Sequence, residues 1–249
     1  MKWFLVSLAI TGCASAGKGN SIIGGIDDAG VRVDDAGMRI DDAREIPELD
    51  APVIDAPPRQ ITLSQTASGS ITLDNSIACV PDDPRQQITV VNSYYRVFAL
   101  ADDDIRTAFR VTEVTFGIQD AISATANDMQ PGIVRIGIYE GGVGSPVLDL
   151  SRIRGVAEVP IQIADTTGTR MTVPITGDIP ASANLIVELE LPTNASVRHR
   201  FFIGSNVAGE RRPGYLRAPT CDIDAPTTLA SLTGATGGMD ILLTVTGTH

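Results

Sequence analysis

The chain has 249 residues, enough for one substantial domain with extensions or for two small domains. Hydrophobic residues make up 43%, which suffices for a packed core. The formal net charge of −11 and a pI near 4.5 exclude a nucleic-acid partner, because phosphates repel a field of that sign.

Met1-Lys2 supplies one positive charge, and residues 3–10 form a mostly apolar run. A membrane span needs about 20 apolar residues, so this run suits the apolar region of a secretory signal instead. Directly after it stand Ile10-Thr11-Gly12-Cys13: a branched residue, two small ones and a cysteine. This resembles the lipobox of bacterial lipoproteins. The resemblance implies a signal peptide over residues 1–12, lipidation of the Cys13 thiol, and a membrane contact made through that anchor alone. Each buried methylene of an acyl chain contributes about 0.8 kcal/mol, so two or three chains hold firmly. Ala14 in place of Asp after the cysteine implies the outer membrane in a host that has one. The alternative is cleavage after Ala14-Ser15-Ala16, which discards Cys13 and releases a secreted protein.

Residues 13–58 read as an acidic tether. Between positions 14 and 58 there are ten acids against four bases, and Asp-Asp-Ala recurs every seven residues from Ile26, Val33 and Ile40. A coiled coil is disfavoured: one apolar position repeats, the paired Asp repel, and Gly30 and Gly37 weaken a helix. A charge-extended linker is expected, with an end-to-end distance of roughly 35–40 Å before repulsion stretches it. The Asp-Ala-Pro tracts that close it are similar to those following the lipobox in lipoproteins of myxobacteria.

From residue 59 to 249 the period becomes two. Val114, Phe116 and Ile118 alternate with Thr115 and Gly117; Val134, Ile136 and Ile138 with Arg135 and Gly137; Leu185, Val187, Leu189 and Leu191 with Ile186, Glu188 and Glu190. Asp82-Asp83-Pro84, Gln130-Pro131-Gly132, Gly141-Gly142, Thr167-Gly168 and Gly237-Gly238 read as turns between such runs. About ten strands without a long helical period predict an all-β, two-sheet sandwich, jelly-roll-like in topology.

With Cys13 lipidated, Cys79 and Cys221 remain, and an oxidising compartment makes their disulfide the expected state, with free thiols the alternative. The chain-entropy model gives a loop of this length about 4–5 kcal/mol. The segments 92–100, 109–118 and 134–139 (NSYYRVFAL, FRVTEVTFGI and VRIGIY), followed by 201–206 and Pro213-Gly214-Tyr215, resemble a β-sandwich module of secreted bacterial proteins. That resemblance covers residues 77–248. It implies binding or anchoring to an extracellular protein or glycan, and it carries no catalytic residue.

Chemistry-bearing residues are few. The chain has two His, and a Ser-His-Asp triad would have to use His199, whose neighbours Arg198 and Arg200 oppose an imidazolium. A His/Cys zinc site lacks ligands. Glu188 and Glu190 point the same way from one strand, as a glycosidase pair would, but also as the wet face of any half-exposed strand would. Asp102, Asp103 and Asp104 form a tight acidic loop whose plain reading is solvated charge. A structural calcium ion, needing six to eight oxygens, is the one cofactor left open. Arg211, Arg212 and Tyr215 form a basic-aromatic loop, the first place to look for a ligand; its plain reading is a turn. Only Tyr94, Tyr95, Tyr139 and Tyr215 remain for stacking on sugar rings once Trp3 leaves with the signal. The expected function is non-enzymatic binding or display at the cell surface. The alternative is a carbohydrate-binding or accessory hydrolase module with a structural calcium ion.

Overall fold

The computed structural model describes residues 58–80, 88–123, 129–192, 199–233 and 238–249. The signal segment, Cys13, the tether up to residue 57 and the Asp82-Asp83-Pro84 turn lie outside them. Along the described chain run β1 (Gln60–Leu63), β2 (Asn92–Ala99), β3 (Phe109–Ser123), β4 (Gln130–Tyr139), β5 (Ile153–Ile163), β6 (Thr166–Ile179) and β7 (Asn184–Leu191). There follow β8 (His199–Ile203), β9 (Ser205–Asn206), β10 (Gly214–Ala218), β11 (Ile223–Thr228), a short helix α1 (Leu229–Thr233), β12 (Asp240–Ile241) and β13 (Leu243–Thr248).

One sheet has the order β1-β13-β3-β6, with β8 also on β3; the other has the order β11-β10-β2-β7-β4-β5. All pairings are antiparallel. Apart from the β4–β5 and β10–β11 hairpins, successive long strands change sheet. Setting that second hairpin aside leaves β1-β13-β3-β6 facing β2-β7-β4-β5, the connectivity of a jelly roll. The alternation read from sequence supplies the core: Val114, Phe116, Val134, Ile136, Leu185, Val187 and Leu189 all point between the sheets and are buried. Phe201 joins them, its ring centroid 6.5 Å from both Tyr94 and Phe116.

The eighth jelly-roll position is filled twice. β8 pairs with the far half of β3 (Ile118↔Ile203 to Ser123↔His199), and β13 pairs with the near half (Leu243↔Phe116 to Thr248↔Arg110). They lie end to end as one interrupted strand. At the join, Gly204 N–H donates to Gly117 O, Leu242 N–H to Gly204 O, and Gly117 N–H to Leu242 O. Residues 204–242 leave this strand, add β10 and β11 to the edge of the opposite sheet, and return. Cys221, at the bend between β10 and β11, is bonded to Cys79, with Cα atoms 5.9 Å apart. Asn92 holds the Cys79 segment in place: its Oδ1 accepts from Cys79 N–H, and its Nδ2 donates to the carbonyls of Cys79 and Val90.

Two of the expected turns are strands. Gln130-Pro131-Gly132 opens β4 and Thr167-Gly168 lies near the start of β6. Pro131 is tolerated because it is the second residue of β4, paired with Gln162 of β5 but ahead of the pairing with β7, which begins at Ile133; Gly168 enters its strand with φ +65°, a conformation open to glycine.

Candidate functional site

The outer face of the six-stranded sheet gathers side chains that sequence spacing keeps far apart. Antiparallel register puts Tyr215, Tyr95, Glu188, Arg135 and Glu158 in one row across β10, β2, β7, β4 and β5. The neighbouring rows are Arg217–Ser93–Glu190–Ile133 on one side and Val97–Ile186–Gly137–Gly155 on the other. Arg135 is the hub. Its Nε donates to Glu158 Oε2 at 3.0 Å, and its Nη1 donates to Glu188 Oε2 at 3.0 Å and to Glu190 Oε2. Tyr95 Oη donates to Glu188 Oε1 at 2.6 Å. Partial burial pulls the Arg135 pKa down, but hydrogen bonds to Glu190, Glu158 and Glu188 outweigh it and raise it. Burial, and then the Glu188 charge beside it, raise the Tyr95 pKa.

Half of this face is dry. The connection from β4 to β5 does turn at the glycine pair, where Ser145 N–H donates to Gly142 O, but it is no tight hairpin: it runs on as a strap across the sheet. Leu148 N–H donates to Pro226 O and Thr228 N–H to Pro146 O, so the strap pairs with β11 at the opposite edge. Beneath it, Leu148 and Val143 pack on Tyr95, Val97, Tyr139, Ile186 and Tyr215 as a second apolar cluster. Asp149 N–H donates to Tyr139 Oη.

Between strap and polar row lies a small cavity of about 60 Å³, lined by Tyr95, Arg135, Ile136, Gly137, Ile153, Gly155, Ile186 and Glu188. It adjoins a shallow groove of about 370 Å³ along β4 and β5, bordered by Arg135, Gly155, Val156, Ala157 and Glu158. The depression has a local cause. The pairing runs Ile136↔Ala157 and then Gly137↔Gly155, so Val156 is an extra, bulged residue, and the two glycines opposite each other leave the surface without side chains.

The basic-aromatic and acidic loops form a single contact. Arg211 Nη2 donates to Asp103 Oδ1 at 2.8 Å and to Ser64 O, while Arg212 Nε and Nη2 donate to Asp102 Oδ2 at 3.0 and 2.8 Å. Asp104 stands apart, 93% exposed and 3.5 Å from Arg106. Asp102 and Asp103 thus face guanidinium groups, and among the described residues no group of three or more His, Cys, Asp or Glu is arranged to hold a metal ion. Tyr215 does not belong to an exposed loop: it is 1% exposed, under the strap, and burial pushes its pKa up to about 12. Tyr94, Tyr95 and Tyr139 are buried as well, so none of the four tyrosines presents an open stacking face.

His199 is 8% exposed and paired across the ladder with Ser123, whose hydroxyl donates to Asp165 Oδ1 at 2.8 Å. The three residue types of a triad meet, but the carboxylate holds the serine, whereas a triad needs it on the imidazole. Glu188 and Glu190 do share one face, as their spacing predicts. Both accept from the Arg135 guanidinium, and Glu188 accepts from Tyr95 Oη as well.

Sequence reasoning missed Arg135 and the strap. The signal for Arg135 was present: its outward parity matches that of Glu188 and Glu190 on another strand. The strap left none, because Gly141-Gly142 reads as a tight turn. Compared with known proteins, the chain matches no family model, and no curated protein or solved structure is significantly similar to it. The resemblance to secreted β-sandwich modules therefore rests on the residues quoted above.

Proposed function

We propose that this is an exported, lipid-anchored protein whose sandwich is a non-enzymatic binding module, with the uncovered outer face of the six-stranded sheet as its ligand surface. The observation that carries the reading is the Tyr95–Glu188–Arg135–Glu158 row with Glu190 beside it. Tyr95 is buried, Glu188, Arg135 and Glu190 are partly buried and Glu158 is exposed; they are held by one another's hydrogen bonds and border a depression built by a bulge and two glycines. A pre-set polar row beside a small apolar hollow is what recognition of a small group requires. Export is supported by the Ile10–Cys13 motif and by the Cys79–Cys221 bond, which suits an oxidising compartment.

Two measurements test this. Intact-mass analysis of the exported protein should give residues 13–249 carrying acyl groups; an unmodified mass for residues 17–249 refutes the anchor. The disulfide-bonded protein, screened on arrays of glycans and extracellular proteins, should yield ligands whose amide-shift changes map to β4, β5 and β7. Ligands that map instead to the Arg211–Arg212 segment would overturn the choice of face.

A further inference from the structure

We infer that the depression beside Arg135 receives the acetamido group of an N-acetylated sugar. This rests on the binding-face reading above and narrows it to a chemical class. Three features select that group together.

The first is size and polarity. About 60 Å³ holds a few water-sized groups but not a pyranose ring, and Gly137, Gly155, Ile153 and Ile186 line much of it. A methyl group with the head of a carbonyl fits such a hollow. The second is the donor set. Arg135 has five N–H groups; Nε and Nη1 serve Glu158, Glu188 and Glu190, and among the described residues Nη2 makes no hydrogen bond. An acceptor beside Arg135 would find those donors ready, and Glu188 borders the same cavity as an acceptor for an amide N–H. The third is charge. Glu158, Glu188 and Glu190 outnumber Arg135 and Arg217 on this face, so a carboxylate or phosphate is repelled although a guanidinium is present. What remains is a neutral group with a carbonyl, an N–H and a small apolar end. The buried tyrosines fit this mode, since it needs an edge contact and not ring stacking.

The test is saturation-transfer and chemical-shift NMR on the disulfide-bonded protein with N-acetylglucosamine, glucose, glucosamine and glucuronate. N-acetylglucosamine should bind about tenfold or more tightly than glucose, the scale of one small group filling an apolar pocket. Its acetamido methyl should take the largest saturation, and shifts should centre on Gly137, Gly155 and Ile186. Gly155→Val provides the blocking variant: Gly155 lines the hollow and a Cβ there meets no heavy atom within 4 Å, so the variant adds bulk at the hollow's edge without a clash. Its melting temperature should hold while N-acetylglucosamine binding falls by a similar factor. Equal binding of glucose, preference for cationic glucosamine, undiminished binding by Gly155→Val, or no binding of any probe each overturns the inference. If array ligands shift this face without showing the acetamido preference, the inference fails and the binding-face reading stands; if they shift another surface, both fail.

Discussion

Arg96 is the residue least expected from its surroundings. It lies in β2 between Tyr95 and Val97, yet it faces inward with Tyr94 and Phe98 and its side chain is 0% exposed. Its Nη1 donates to Glu210 Oε2 at 2.6 Å and to Arg212 O at 2.5 Å, and its Nη2 donates to Ile241 O at 2.7 Å. All three acceptors belong to the 204–242 excursion, so one buried guanidinium ties that excursion to the sandwich. Burial lowers the Arg96 pKa and raises that of Glu210, with the mutual attraction of the pair opposing both shifts. Removing one member of a buried pair strands the other and its polar partners, at a cost of about 3–5 kcal/mol. Arg96→Met should therefore lose that much stability in urea unfolding of the oxidised protein. Exposed Arg110→Met, a surface pair with Asp178, should lose less than about 1 kcal/mol. Equal losses would mean that Arg96 only fills space.

At the scale of elements, the interrupted strand depends on Gly117 and Gly204. A Cβ on Gly204 would lie 2.8 Å from Gly117 C and 2.9 Å from its Cα, both backbone atoms that cannot rotate away. Gly204→Ala should cost roughly 1–3 kcal/mol through forced backbone displacement, while Gly155→Ala, where nothing is near, should change the denaturation midpoint little. The disulfide acts on the same excursion. Mutating Cys79 and Cys221 together to Ser should cost about 2–5 kcal/mol and increase amide exchange in β10 and β11 before the β3–β6 ladder, which uniform exchange would contradict. These elements also mark how far the sequence could be read. The strands β3, β4 and β7 were legible because one face is wet and the other dry, which gives a clean period of two. β2 shows no such period and was legible only through the resemblance of residues 92–100, since the core buries one side and the strap the other, leaving seven of its eight residues buried. The strap and the excursion make long-range contacts, such as Leu148 with Pro226, 78 residues on, and no local pattern encodes such a pairing. Of the candidate site, the shared face of Glu188 and Glu190 was legible; their common partner Arg135, some fifty residues earlier, required the sheet order.

Over the whole molecule, the two apolar layers have a shared weakness at high pH. Tyr94 is in the main core, Tyr95 and Tyr215 are under the strap, and burial is the first cause of a raised pKa in all three. Because the folded pKa lies above the unfolded value of about 10, the folded state keeps these protons after the unfolded chain has released them. The stability they support is whole below pH about 10 and falls as the pH climbs through about 12 for Tyr215 and beyond for the other two. Titration followed by phenolate absorbance should thus show few tyrosines ionising near 10, then a steep rise coincident with loss of near-ultraviolet circular dichroism. Leu148→Ala, which uncovers the strap cluster but leaves the main core intact, should let part of that rise move toward pH 10 ahead of unfolding. If the wild-type tyrosines ionise smoothly around pH 10 with the dichroism unchanged, the strap does not seal that face in solution, and Tyr95 and Tyr215 become available to a ligand as an aromatic surface.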